Sequence, residues 1–172
     1  MVNNKQIEAK ARKIKIVLTD NDGVLTDTGV YYSDKGEELK KYSIRDGMGV
    51  ERLRELVQVK TGIITGEVSG PVKKRAEKLK IEDVLLGIKE KDKELKSILE
   101  KYDCSPENIA FIGDDVNDLS LMKIAGFTAA PADAIDEIKE IADYVCKNVG
   151  GHGAFREFAE LIIYHKLKKQ ED

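Results

Sequence analysis

Five aspartates fall into two tight groups: Asp20 with Asp22, and Asp114 and Asp115 with Asp118. Each group follows a short apolar run, IKIVLT at 14–19 and NIAFI at 108–112. In an extended segment, residues two apart point to the same side, so Asp20 and Asp22 can address one reacting group. Several carboxylates on one rim repel each other unless a cation sits among them. Hard oxygen ligands suit Mg²⁺, which takes one or two carboxylates, waters and substrate phosphate oxygens. Held there, one Asp can attack phosphorus as a nucleophile. A second can protonate the leaving oxygen and then take a proton from water. The Thr65 hydroxyl, nearby backbone N–H groups and the Lys91 ammonium can hold the equatorial oxygens of the transferring phosphoryl.

Each piece also has an ordinary explanation. Asp-x-Asp-Gly after a strand is a common turn, and Thr65-Gly66 is a common loop start. Lys91 lies in KEKDKELK, which reads alone as a solvated helix face. Gly113-Asp114-Asp115 with Asp118 resembles acidic capping of a helix start. The order and placement of all four together carry the reading.

Those residues need a scaffold that brings strand ends together. The apolar runs at 14–19, 59–64, 83–86, 108–112, 127–130 and 143–146 predict strands. Amphipathic stretches near 47–58, 71–80, 90–102, 116–125, 133–141 and 153–168 predict helices between them. Such alternation predicts an α/β fold: a three-layer, Rossmann-like parallel sheet with helices on both faces. Ligands of open parallel sheets bind at the carboxyl ends of the strands, where the polar groups above fall. One stretch breaks the alternation. Residues 29–43 carry turn formers, Ser33 to Gly36, between Tyr-rich pieces, which predicts a β-hairpin insertion. The charged tail at 165–172 is expected to fray.

The chain has 172 residues, which fits one domain over 1–172. Its net charge of −3 argues against nucleic acid as a partner. Cys104 and Cys146 lack metal-ligand spacing and read as reduced thiols. No apolar run of ~18 residues appears and the polar N-terminus has no signal-peptide core, so a soluble cytoplasmic protein is expected, with no membrane partner.

Four motifs occur in order: Asp20-Asn21-Asp22-Gly23-Val24-Leu25-Thr26, Ile64-Thr65-Gly66, Lys91, and Gly113-Asp114-Asp115 with Asn117-Asp118. In these the chain resembles the haloacid dehalogenase superfamily of phosphotransferases over nearly its whole length. The resemblance implies Asp20 as nucleophile, Asp22 as general acid/base, and Thr65 and Lys91 as phosphoryl stabilisers. It implies Mg²⁺ on Asp20, the Asp22 backbone carbonyl and Asp114, with Asp115 and Asp118 supporting the ligands from behind. Asn21 and Gly66 would lie against the phosphate. An apolar residue is more usual at the position of Asn21.

Arg45-Asp46-Gly47-Met48-Gly49 and Gly150-Gly151-His152-Gly153-Ala154-Phe155-Arg156-Glu157 make the chain similar to a cap-less branch. This branch comprises the 3-deoxy-D-manno-octulosonate 8-phosphate (KDO8P) phosphatases and their sialic-acid-type relatives. The intervals from Asp27 to Thr65 and from Thr65 to Lys91 are too short for a cap domain. The resemblance implies a role in lipopolysaccharide biosynthesis and a homotetramer whose hairpins assemble centrally. It also implies a C-terminal stretch that reaches a neighbouring site.

The branch usually has Arg after Ile-Thr-Gly; here stands Glu67. With Arg75 and Lys78 following, this is more similar to phosphatases of 2-keto-3-deoxynononate 9-phosphate (KDN9P). Arg75 and Lys78 share a helix face and suit a substrate carboxylate, while Glu67 can accept from hydroxyls. The substrate expected is a small sugar-acid phosphate, KDO8P first and KDN9P as the alternative. A phosphoacceptor domain of receiver type, or a silent assembly module, are readings from other classes. The acid/base position of Asp22 and the intact motifs argue against both.

Overall fold

The computed structural model describes residues 3–168. The chain starts with helix α1 (Asn4–Lys13), followed by β1 (Ile16–Thr19). A two-stranded ribbon follows, β2 (Tyr31–Ser33) and β3 (Gly36–Leu39). Next come α2 (Ile44–Val57), β4 (Lys60–Thr65), α3 (Gly70–Leu79) and β5 (Asp83–Leu86). The second half holds α4 (Leu95–Tyr102), β6 (Ile109–Ile112), α5 (Leu119–Met122), β7 (Phe127–Ala130), α6 (Asp136–Ile141), β8 (Tyr144–Val145) and α7 (Ala154–Leu167).

The six strands of the main sheet run in the order β5-β4-β1-β6-β7-β8 and every pair is parallel. β1 pairs with β4 on one side and β6 on the other, Ile16 lying opposite both Lys60 and Ile109. All four of its residues are buried, as an interior parallel strand covered on both faces requires. Alternate side chains feed two cores. Val17 packs with α1, α2, α3 and α7, through Ala11, Leu53, Ala76 and Phe158. Ile16 and Leu18 pack with α4, α5 and α6, through Ile98, Leu121 and Ile138. The expected three-layer α/β architecture is therefore present.

Several boundaries differ from those predicted. α1 was not among the predicted helices, because only Ile7 and Ala11 of its residues are buried. Its start is held by a capping box between Asn3 and Gln6. α2 begins at Ile44 rather than 47, where the Ser43 hydroxyl accepts from Asp46 N at 3.2 Å. The predicted helices at 90–102 and 116–125 each open as a short 3₁₀ turn, Lys91–Glu94 and Val116–Asp118. Both tight turns sit under the cluster described below. α7 ends at Leu167, close to the predicted 168, so residues 165–167 of the tail expected to fray are helical. Residues 169–172, the rest of the expected fraying tail, lie outside the described residues.

The hairpin falls inside the predicted 29–43 and stands away from the cores. Tyr31, Tyr32 and Leu39 are 57 %, 74 % and 69 % exposed.

Candidate active site

β1 ends between two strands whose connections lead in opposite directions, so a crevice opens at its carboxyl end. Asp20 continues the strand there, its N–H donating to Ile112 O at 3.0 Å. Asp20 Oδ1 accepts from Asn21 N at 2.7 Å, and Oδ2 lies 2.8 Å from Lys91 Nζ. The Lys91 side chain is wholly buried and also meets Asp118 Oδ1 at 2.6 Å. Burial works against the Lys91 ammonium, but the carboxylates of Asp20 and Asp118 outweigh it and raise its pKa above the usual lysine value.

Asp118 spends its second oxygen on the backbone. Oδ2 accepts from Asp114 N at 2.9 Å and Asp115 N at 3.4 Å. Asp115 caps the following 3₁₀ turn, accepting from Val116 N at 2.7 Å. Asp114 Oδ1 is buried with no hydrogen-bond partner among the described residues. Carboxylate oxygens of Asp20, Asp114 and Asp118 lie within 4.8 Å of one another. Burial first, and then the charge of Asp118, push Asp20 up to about 7 despite Lys91. Burial and the charges of Asp20, Asp118 and Asp115 push Asp114 up to about 8. An all-oxygen cluster with one orphaned oxygen and a surplus of negative charge fits a hard divalent cation.

The loop after Asp20 is clamped from outside. At Gly23, φ is +82°, and a Cβ would lie 1.9 Å from Asp114 Oδ2. Only glycine admits both that backbone and that approach. Gly150 presses on the same loop, where a Cβ would meet Gly23 O at 1.9 Å. Gly151 N donates to Val24 O at 2.9 Å. The glycine-rich segment is itself anchored by Asp46, whose carboxylate accepts from Gly153 N at 3.1 Å and Arg156 N at 2.9 Å.

Asp20, Asp22, Thr65, Gly66, Glu67 and Asp114 line a cavity of about 310 Å³, together with Asp115 and Lys89. Thr65 is buried and its hydroxyl accepts from Glu67 N at 3.2 Å. Asn21 is buried beneath the loop, its Oδ1 accepting from the Tyr42 hydroxyl at 3.1 Å. Lys91 lies behind Asp20 and outside the lining.

The chain as a whole is similar to known proteins. The family of haloacid dehalogenase-like hydrolases matches residues 75–157. The 3-deoxy-D-manno-octulosonate 8-phosphate phosphatase KdsC of Escherichia coli (strain K12) is 37 % identical over 163 residues, covering 95 % of this chain and 86 % of the relative. The chain belongs to the KDO8P phosphatase family. Solved members superpose closely. One is the Moraxella catarrhalis enzyme in complex with magnesium, phosphate and KDO. It has a TM-score of 0.91 at 32 % identity, covering 95 % of this chain and 94 % of that one. A cobalt-bound Haemophilus influenzae enzyme gives 0.88 at 34 % identity, with 91 % of each chain covered.

Three residues read from sequence as phosphate or substrate ligands stand outside the cavity lining: the buried Asn21, Arg75 and Lys78. Arg75 donates to Ser43 O at 2.8 Å and stacks over the Tyr42 ring at 5.4 Å. Arg75 and the exposed Lys78 do not line the cavity, so of Glu67, Arg75 and Lys78 only Glu67 is brought to it. A backbone carbonyl and an aromatic face at the start of α2 lie closer to the guanidinium than the cavity does. Sequence reasoning passed over Lys40, whose ammonium lies 2.5 Å from Asp22 Oδ1. The run EELKKYS offered no pattern that separates Lys40 from the solvated Lys41.

Proposed function

We propose that the chain hydrolyses KDO8P to KDO and phosphate through an aspartyl-phosphate on Asp20. The observation that carries this reading is Asp20 itself. It stands at the end of the central strand, held by Lys91 and clustered with Asp114, in a chain related over its length to enzymes named for that activity. The relatives compared bear the KDO8P name, and the alternative KDN9P reading from Glu67 finds no support among them.

Asp20 Oδ1 and Oδ2 are both anchored, by Asn21 N and Lys91 Nζ, which aims the carboxylate into the cavity mouth. One oxygen attacks phosphorus in line with the sugar oxygen. Lys91 balances the charge on Asp20 from behind, and the Thr65 hydroxyl with the backbone of Gly66 holds the phosphoryl oxygens. Asp22 protonates the departing sugar oxygen, and then removes a proton from the water that cleaves the aspartyl-phosphate. Asp20 and Asp114 would hold Mg²⁺ with the Asp22 backbone carbonyl, while Asp118 fixes the Asp114 backbone and Asp115 caps the turn that carries Asp118. When bound, the ion neutralises phosphate and carboxylate charge at the cluster.

A homotetramer is part of this proposal. Its support is the exposed apolar hairpin, since an isolated two-stranded ribbon is marginal in water and a closed assembly covers free edges. We also assign the chain to the cytoplasm and to lipopolysaccharide biosynthesis. The two free thiols, Cys104 and Cys146, suit a reducing compartment.

Phosphate release from KDO8P tests the reading, set against a panel of other sugar phosphates with Mg²⁺ present. KDO8P is expected to give the highest kcat/KM. Asp20→Asn removes activity, and Asp22→Asn loses ~10²–10⁴-fold. Undiminished turnover by Asp20→Asn would overturn the mechanism.

A further inference from the structure

Lys40 directly follows β3, in the connection from the hairpin to α2. Its side chain is only 5 % exposed, although the ribbon before it is open to solvent. The ammonium meets Asp22 Oδ1 at 2.5 Å and Glu37 Oε2 at 3.0 Å. Glu37 in turn accepts from Ser69 Oγ at 3.3 Å, just before α3. A chain of polar contacts thus runs from the β4–α3 connection, through the hairpin, to Asp22. The adjacent Lys41 behaves differently: 52 % exposed, it pairs with Asp27 at 2.8 Å. Neighbours on an extended chain point to opposite sides, so one lysine faces the site and the other faces solvent.

The two oxygens of Asp22 are treated unequally. Oδ1 takes Lys40, Asn21 Nδ2 at 3.1 Å and Thr26 Oγ at 3.3 Å. Oδ2 has no partner. Holding one oxygen by several donors sets the plane of the carboxyl group and leaves the other with its lone pairs free. Lys40 is the charged donor of the three, and charge-assisted bonds are roughly twice as strong as neutral ones.

We propose that Lys40 is a positioning residue, delivered by the hairpin, that orients Asp22 for its acid/base work. The proposal rests on the phosphatase reading above. In the first half-reaction the Asp20–phosphorus bond forms, the bond from phosphorus to the sugar oxygen breaks, and that oxygen takes a proton from Asp22. In the second, water attacks phosphorus, gives a proton back to Asp22, and phosphate leaves with Asp20 regenerated. Lys40 keeps its protons throughout and acts only through its charged hydrogen bond to Asp22.

An alkoxide leaving group depends on a well-placed acid, whereas p-nitrophenolate leaves without one. The value of kcat/KM reports steps up to formation of the phosphoenzyme, so the two classes of ester separate orientation of Asp22 from general damage. In Lys40→Met, kcat/KM for KDO8P is expected to fall at least about tenfold, a fraction of what a general acid supplies. The fall for p-nitrophenyl phosphate is much smaller, and Lys40→Arg restores most of the loss. Glu37→Gln, which loosens Lys40 without removing it, gives a smaller loss with the same selectivity. It carries the test if Lys40→Met does not fold. Equal losses for both esters, or no loss, would overturn the positioning role and leave the phosphatase reading intact. Failure of the unaltered chain to hydrolyse either ester would instead overturn the phosphatase reading, and this proposal with it.

Discussion

Lys91 Nζ lies 2.8 Å from Asp20 Oδ2 at the end of the central strand, with the whole lysine side chain shielded from water. The same ammonium meets Asp118, so one buried cation holds apart two buried carboxylates. Removing one partner of such a group leaves uncompensated charge in a low-dielectric setting, typically a loss of about 3–5 kcal/mol. Lys91→Met is therefore expected to cost stability of that order and to eliminate turnover. Urea unfolding of the metal-free protein measures the first, and phosphate release the second. A stable, active Lys91→Met protein would mean that the pair is dispensable.

The acidic cluster makes the metal-free protein lose stability as pH rises from acid to neutral. Asp20 is raised to about 7 and Asp114 to about 8, both from an ordinary 3.8, chiefly by burial and then by neighbouring carboxylates. An acid whose folded pKa is raised binds its proton more tightly when folded. The folded state then loses ground as pH rises from the unfolded value through the folded one. Metal-free protein is expected to melt at progressively lower temperature between about pH 4 and pH 8 on this account. Mg²⁺ competes with those protons, so the rise in Tm that it produces should be larger at pH 8 than at pH 5.5. Melting curves after EDTA treatment, with and without added Mg²⁺ across that range, give both results. A Mg²⁺ effect independent of pH would place the ion elsewhere.

Glu67 lines the cavity directly after the Thr65-Gly66 turn. Glu67→Gln is expected to raise KM for KDO8P while leaving that for p-nitrophenyl phosphate almost unchanged. The expected size is about 1.5–3 kcal/mol, as for other hydrogen bonds to charged groups. Parallel changes with both esters would assign Glu67 to the phosphoryl end of the cavity.

The hairpin's exposed apolar side chains predict assembly. Tyr32 is 74 % exposed and Leu39 69 %, on a ribbon with no core of its own. A Tyr32→Lys, Leu39→Lys double variant should shift the chain from tetramer to smaller species by light scattering at micromolar concentration. Through Lys40, dissociation should also lower kcat/KM for KDO8P more than for p-nitrophenyl phosphate. A monomer in the unaltered chain would remove the assembly from the proposal.

The sequence by itself determined the parallel α/β class and the chemical inventory at the strand ends. Alternating apolar runs can only be buried as interior strands, and Asp20, Thr65 and Asp114 follow those runs immediately. Local spacing alone also marked the hairpin, through turn formers between Tyr-rich pieces. What tertiary structure decided are the relations between distant segments. The order β5-β4-β1-β6-β7-β8 places β1 between β4 and β6, and so brings Asp20, Thr65 and Asp114 to one crevice. Periodicity cannot specify which strands pair, because every buried parallel strand presents much the same apolar run. α1 was illegible because two buried side chains make too faint a stripe. Arg75 and Lys40 show the same limit for charged side chains. Both sit in charge-rich stretches: Arg75 read as a substrate ligand, and nothing in the run around Lys40 set it apart. Where each cation finally points depends on which partner the fold brings within reach: Ser43 O and the Tyr42 ring for Arg75, Asp22 and Glu37 for Lys40.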